Sequence, residues 1–246
     1  MPALEGDVIG VVAPHAGYMY SGAVAAYAYK AIQHIKPDVV AVISPMHHYN
    51  SHSLLTSDHQ AYATPLGEVP LALEAVEALS DSLTQSLGEG LVPVAFDDEH
   101  SLEIQLPFLQ RIYPAGISLL PVMVCDTTVR VTQALGTALA LLLKEKKSVL
   151  VASTDLSHFY HQKQAEKLDA EILKRMKSFI PESVLYAEEE GAGFACGRGA
   201  LAAVMWAGRA LDAERIEVLK YATSGDINGD YSKVVGYAAA ALIKPY

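Results

Sequence analysis

This 246-residue sequence predicts an α/β protein with a mostly parallel sheet and helices on both faces. Three observations carry that prediction. Apolar, strand-like runs alternate with segments of helical period, the pattern of βαβ units. Three of the runs, Val8-Ile9-Gly10-Val11-Val12, Val39-Val40-Ala41-Val42-Ile43 and Val149-Leu150-Val151-Ala152, each stop at a Pro or Ser/Thr turn. Each turn then presents histidine, as Pro14-His15, Pro45-Met46-His47-His48 and Ser153-Thr154-Asp155-Leu156-Ser157-His158. If the strands are parallel, their C-terminal ends share the edge where open α/β sheets bind ligands, and residues distant in sequence converge there.

Each strand is read from its apolar run and each helix from its period. A strand over 7–13 and another over 38–44 bracket a helix over 22–35. Helices over 70–80 and 100–112, a strand over 117–124, a helix over 128–144, a strand over 148–153 and a helix over 161–178 continue the alternation. Past Pro181 come a short helix near 182–189, a helix over 197–211, a strand near 215–221 and a final apolar strand from Val234 to Ile243. Residues 50–68, with His52, His59, Tyr62 and Pro65, read as an irregular excursion or an edge hairpin. Gly88–Gly90 and Thr223–Tyr231 are turn-rich loops, the second long enough to rim a pocket. No stretch has the composition of an interdomain linker and no repeat occurs, so residues 1–246 are expected to form one domain.

At 51% hydrophobic residues the chain can bury a substantial core. Its longest apolar stretches, Ala138–Leu143 and Ala238–Ile243, fall far short of the roughly 18 residues a membrane span needs. The start, Met1 to Asp7, lacks the basic and apolar regions of a signal peptide, and a cytoplasmic location is expected. A formal net charge of -10 opposes a phosphate-binding surface, and Lys144-Glu145-Lys146-Lys147 reads as a solvated turn, so no nucleic-acid partner is expected. Two cysteines, Cys125 and Cys196, make no disulfide framework.

Neutral imidazole is the commonest protein ligand for borderline metals, and His15 and His47, at equivalent strand ends, are the best-placed pair. Cys196, in Ala195-Cys196-Gly197-Arg198, stands where an apolar helix begins, and the positive end of that helix with Arg198 nearby favours a thiolate. Cys125 fits an inert buried thiol. The spacing of Asp155 and His158 suits a carboxylate orienting an imidazole, or both lining a pocket as acid and base. His100 opens a helix whose acidic first turn, Asp97 and Asp98, has a capping role, and His100 itself is expected near the site. His34, His52, His59 and His161 read as ordinary surface or packing residues. Gly-x-Ser-x-Gly and Walker loops are absent, and no Gly-x-Gly-x-x-Gly follows the first strand. A hydrolase built from Ser153 or Ser157 with His158 lacks a nucleophile elbow and ranks last.

In these residues the chain resembles the Memo family, known in prokaryotes as AmmeMemoRadiSam system protein B. The matching stretches are Ala13-Pro14-His15-Ala16-Gly17-Tyr18 with Tyr20-Ser21-Gly22, Pro45-Met46-His47-His48, Thr64-Pro65-Leu66-Gly67 and Asp98-Glu99-His100-Ser101-Leu102-Glu103 with Leu106-Pro107-Phe108. They continue with Ser153 to His158, Cys196-Gly197 and Tyr221 to Asp226 with Val234 to Ala238. The resemblance implies a three-layer α/β/α fold similar to class III extradiol ring-cleaving dioxygenases, in which two histidines and a glutamate bind ferrous iron and a further histidine is the base. Memo members carry a cysteine in place of that carboxylate. On their pattern His15, His47 and Cys196 are the metal ligands, and Asp155, His158 and His100 line the pocket. Members also have a segment before the first strand that this chain does not match, so one wall of the site is expected to be missing.

A soft sulfur donor favours iron, copper(I) or zinc over magnesium or calcium, and is itself oxidisable. The leading expectation is an iron-binding, oxidoreductase-like or dioxygenase-like protein acting on a small molecule, with His158 as acid/base. The alternative is a non-catalytic adaptor or accessory protein that binds a peptide. For that alternative the resemblance suggests a radical SAM enzyme and an AMMECR-type protein as partners.

Overall fold

A computed structural model describes residues 4–246; Met1 to Ala3, part of the start searched for a leader, lie outside the described residues. The elements are, in order, β1 (Asp7–Ala13), α1 (Tyr18–Ile32), β2 (Val39–Pro45), β3 (Leu54–Ser57), β4 (Ala61–Thr64), β5 (Gly67–Pro70), α2 (Leu73–Leu87) and β6 (Val92–Val94). A 3₁₀ turn (Glu103–Gln105) leads into α3 (Leu106–Ile112), β7 (Ser118–Val124), α4 (Val129–Leu143), β8 (Ser148–Ser153), β9 (His158–Tyr160), α5 (Gln162–Ser178) and α6 (Pro181–Tyr186). The chain ends with α7 (Arg198–Ala210), β10 (Arg215–Thr223), the single turn α8 (Gly225–Asn228) and β11 (Val234–Lys244).

The main sheet runs β10-β11-β1-β8-β2-β7-β3-β6, with β9 on β11. Its centre, β1-β8-β2-β7, is parallel. β11 and β3 flank that centre antiparallel, so the sheet is mixed but mostly parallel. β2 is buried at every residue because both faces are covered, which is why its sequence is a continuous apolar run. Val39, Ala41 and Ile43 point to one face, where Leu79 and Leu83 of α2, Leu135 and Leu139 of α4 and Ala200 to Met205 of α7 pack. Val40 and Val42 point to the other, against Val24, Ala28 and Ile32 of α1 and Leu106 and Leu109 of α3. Each fully buried Val, Leu or Ile among them contributes about 1.5–3 kcal/mol, and each Ala about 0.8 kcal/mol. Among the described residues no helix is long and apolar enough to cross a membrane.

Several boundaries differ from the sequence expectation, for local reasons. The first helix begins at Tyr18, four residues earlier, with Gly17 as its cap, and stops at Ile32 ahead of Pro37. The helix expected over 70–80 spans Leu73–Leu87, because Leu79, Leu83 and Leu87 continue one stripe past Ser80-Asp81-Ser82 until Gly88, at φ 85°, ends it. His100 does not open a helix: residues 97–100 are irregular, and the α-helix starts only at Leu106, with Pro107 in its first turn. Within 50–68 the chain forms β3, which joins the main sheet, and the two-stranded β4–β5 hairpin. The short strands β6 and β9 carried no usable pattern at three residues each.

Two close approaches fix the helices around the sheet. A Cβ on Gly136 of α4 would lie 2.6 Å from the Ala203 carbonyl oxygen of α7. A Cβ on Gly197 would lie 2.7 Å from Thr154 Cβ, so the start of α7 can rest on the end of β8. Gly136→Ala is expected to force α4 and α7 apart and lower stability by about 1–3 kcal/mol in urea unfolding; an unchanged midpoint would contradict this packing.

Candidate metal centre

β8 lies between β1 and β2, so the three strand ends singled out in the sequence are neighbours at one edge. They carry His15, His47 and the Ser153–His158 loop. α7 crosses behind them and brings Cys196 to the same point: Cys196 N–H donates to the Asp155 carbonyl at 3.2 Å, and Gly197 N–H to Thr154 Oγ1 at 2.9 Å. One donor atom each from His15, His47 and Cys196 lie within 4.8 Å of one another. The His15 Nε2 to Cys196 Sγ distance is 3.2 Å, and the two imidazoles meet at 78° with centroids 5.4 Å apart.

The hydrogen bonds around His15 determine its tautomer. Its Nδ1 lies 2.9 Å from Ser153 Oγ. That hydroxyl has a single proton, and it donates it to the Ser101 carbonyl, 2.6 Å away. Ser153 Oγ also accepts from Gln105 Nε2 at 2.8 Å, and Gln105 Oε1 accepts from the Tyr29 hydroxyl at 2.5 Å. Having no further proton to give, Ser153 must accept from His15 Nδ1–H, which leaves the Nε2 lone pair facing Cys196. Burial, reinforced by the neighbouring His47 and His100, pushes the His15 pKa down to about 3, so the ring is neutral.

A buried carboxylate does the same for His47. Glu99 lies 3.0 Å from His47 Nδ1 and accepts the His47 backbone N–H at 2.6 Å and that of Ser101 at 2.8 Å. Burial alone would raise the Glu99 carboxyl, but these hydrogen bonds outweigh it and hold the group well below the usual carboxylate range. The hydrogen bond to Glu99 in turn raises the His47 pKa. With its Nδ1 proton on the carboxylate, His47 presents Nε2 to the cluster, the arrangement by which carboxylates orient metal-binding imidazoles. Sequence reasoning missed Glu99. Its segment read as the acidic first turn of a helix, and nothing local pairs it with His47, 52 residues away.

Cys196 differs from its expectation. α7 begins two residues later, and Arg198 pairs with Glu188. Burial, and then the charge of Asp155, push the thiol up to about 12. The sulfur is therefore protonated in the protein alone, and a bound cation would have to displace that proton. Cys125, raised by burial to about 11, packs with the core of the opposite face, as expected of an inert thiol.

Asp155 Oδ1 accepts the His15 backbone N–H at 2.8 Å, and burial lifts its carboxyl to about 7 against the opposing pull of the His15 and Ala16 amides. It does not orient His158: the buried His158 Nδ1 has no hydrogen-bond partner among the described residues, and its ring rests edge-on to Phe194 at 5.4 Å. Asp155 borders the cluster through its hydrogen bonds with His15 and Cys196, and burial lowers the His158 pKa. The loop bearing them is fastened elsewhere. Ser157 N–H donates to Asp169 of α5, Leu156 and Ser157 exchange hydrogen bonds with Gly236 of β11, and the Asp169 carboxylate fills the place a Gly236 side chain would take. His100 lies with its ring centroid 6.0 Å from those of both His15 and His47. The ordinary roles expected for His52 and His59 match their contacts with Glu89 and Phe96. Ser153, one of the nucleophiles weighed for a hydrolase, is buried with its hydroxyl fully committed.

Two imidazole nitrogens and a sulfur, with His15 buried and His47 half-exposed, form a donor set whose chemistry suits a borderline or soft transition metal. Fold and cluster together define an α/β protein with a His/His/Cys cluster at one edge of its sheet. The family model described as Memo-like protein matches residues 1–241, and the chain belongs to that family. It is 37% identical over 240 residues to a MEMO1 family protein of Methanopyrus kandleri, covering 94% of this chain and 81% of that one. It is 35% identical over 237 residues to a MEMO1 family protein of Thermotoga maritima, covering 95% and 82%. An uncharacterized protein of Escherichia coli K12 shares the fold, with a TM-score of 0.58 over 96% of this chain and all of its own at 14% identity.

The hydrogen-bond pattern sets a pH order that imidazole 15N NMR reads directly. In metal-free protein His15 is expected to remain the neutral Nδ1–H tautomer from pH 8 down to 4, whereas His47 takes up its proton above the usual 6.5. Ser153→Ala is expected to release the His15 tautomer. Protonation of His15 near pH 6.5 would refute the assignment.

Proposed function

We propose that His15, His47 and Cys196 hold one iron ion, with copper or zinc as the alternatives that this donor set admits, and that the centre serves redox chemistry on a small organic molecule. The observation that carries this reading is that both imidazoles have their Nδ1 protons tied to fixed acceptors, which leaves their Nε2 lone pairs free, and that one donor atom each of His15, His47 and Cys196 lie within 4.8 Å of one another. Neither Ser153 nor Glu99 could hold the opposite tautomer without breaking a buried hydrogen bond. Iron bound there would supply an electron-transferring centre with open coordination positions for an organic ligand.

The remaining residues divide by how their protons are held. His158, kept neutral by burial and with no side-chain group orienting its Nδ1 among the described residues, is the acid/base group of this reading. Asp155, with its carboxyl lifted by burial to about 7, can hold or release a proton beside His15 and Cys196. His100 borders the open side.

Metal analysis after anaerobic purification tests the reading. The wild type is expected to retain near-stoichiometric metal, and Cys196→Ala and His47→Ala to lose most of it; full occupancy in both variants would reject the ligand set. Glu99→Gln, which keeps the ligands, is expected to weaken binding about 10–100-fold. Because the thiol titrates at about 12, its proton must leave whenever metal binds, so affinity is expected to rise about tenfold per pH unit between pH 7 and 9. A flat profile would show that sulfur does not ligate.

A further inference from the structure

Two adjoining hollows open on the side of the cluster where His100 lies. One, of about 220 Å³, is lined by Tyr18, Thr64, Pro65, His100, Glu103 and Pro107. The other, of about 290 Å³, lies between α1 and α3 and is lined by Tyr18, Gly22, Pro107, Phe108 and Arg111. Tyr18 and Pro107 are walls of both, so the two hollows adjoin across these side chains, with His100 lining only the first. The Tyr18 ring is held in place: its hydroxyl donates to the Ile104 carbonyl at 3.0 Å, and it makes a T-shaped contact at 5.5 Å with Phe108, which stacks in turn on buried Tyr29 at 4.8 Å. The second hollow exists because position 22 has no side chain. A Cβ there would find only Tyr18 Cβ at 3.7 Å and Phe108 Cζ at 3.9 Å, so there is space for one.

The chemistry of the walls selects a ligand class. Aromatic and proline faces take a flat apolar body, and the combined volume suits a small molecule. In the hollow that touches His100 the one charged side chain other than histidine is Glu103, which has no ion pair among the described residues; its charge bears on the Tyr18 hydroxyl. A carboxylate beside a fixed tyrosine ring is a site for an ammonium group, through a charge-assisted hydrogen bond and a cation–π contact. The geometry points to a recognition subsite for an aromatic amine, with the amine at Glu103, the ring along Tyr18 and Pro107, and the remainder of the molecule reaching past His100. This rests on the reading of the His/His/Cys cluster as the reacting centre, since His100, 6.0 Å from both ligand rings, is the wall they share. Arg111 stands at the far end of the second hollow, where an acidic ligand would have to bind instead.

The test is a 1H–15N NMR titration of the full chain, metal-free and metal-loaded, with 2-phenylethylamine and its acidic counterpart 3-phenylpropionate. The amine is expected to saturate in both forms, with shifts at Tyr18 and residues 103–111, and to bind at least tenfold more tightly than the acid. Glu103→Gln is expected to weaken the amine at least fivefold, and Gly22→Leu, which fills the second hollow, to weaken it while leaving the Glu103 dependence intact. Equal binding of amine and acid, preference for the acid, an unaffected Glu103→Gln, or no saturable binding of the amine would each overturn the assignment. Amine binding in a chain that takes up no metal would reject the metal centre alone; metal uptake without amine binding would reject the subsite alone.

Discussion

Ser153 Oγ has three hydrogen-bonding neighbours and one proton, and the Ser101 carbonyl takes that proton. Everything upstream in the network, from Tyr29 through Gln105, serves to leave Ser153 only an accepting role toward His15. Glu99 imposes the same condition on His47 with a charge in place of a hydroxyl. An imidazole free to choose its tautomer would spend part of its time offering N–H to a cation, and the cluster would lose a donor. Buried hydrogen bonds of this kind contribute about 1 kcal/mol each to folding, but breaking one to expose an unpaired group is more costly, so the tautomers are held by the fold.

The topology makes that network reachable. Because β8 lies between β1 and β2, a serine at its end touches the histidine that follows β1, and the loop after it touches the start of α7. Gly197 permits that last contact, since a side chain there would collide with Thr154. The same crowding that brings Cys196 within 3.2 Å of His15 also buries the sulfur, so close placement and a high thiol pKa have one cause.

The parallel centre of the sheet and the meeting of His15, His47 and the Asp155–His158 loop were legible in the sequence. Strands covered on both faces leave unbroken apolar runs, and Pro45 and Ser153 punctuate their ends. The position of Cys196 was legible from the resemblance, but its protonation was not: the helix dipole argued for a thiolate, and burial, a property of the whole fold, decides otherwise. Glu99 and Ser153 escaped as orienting groups because their partners lie 52 and 138 residues away, and an acidic turn or a strand-end serine has an adequate local explanation. Helix ends were displaced where tertiary packing extended a stripe, as at Leu83 and Leu87.

The fastening of the Asp155–His158 loop to Gly236 has a consequence along the chain as well as in space. β11 is the last of the described strands in chain order, yet it pairs with β1, the first of them, and its Gly236 receives the loop that carries Asp155 and His158. β1, β2, β7 and β8 all precede Val234 in the chain, but the loop carrying Asp155 and His158 lacks its Gly236 hydrogen bonds until β11 takes its place between β1 and β10. The cluster thus depends on elements from both ends of the described residues, and a fragment that stops before Val234 does not carry a finished copy of it.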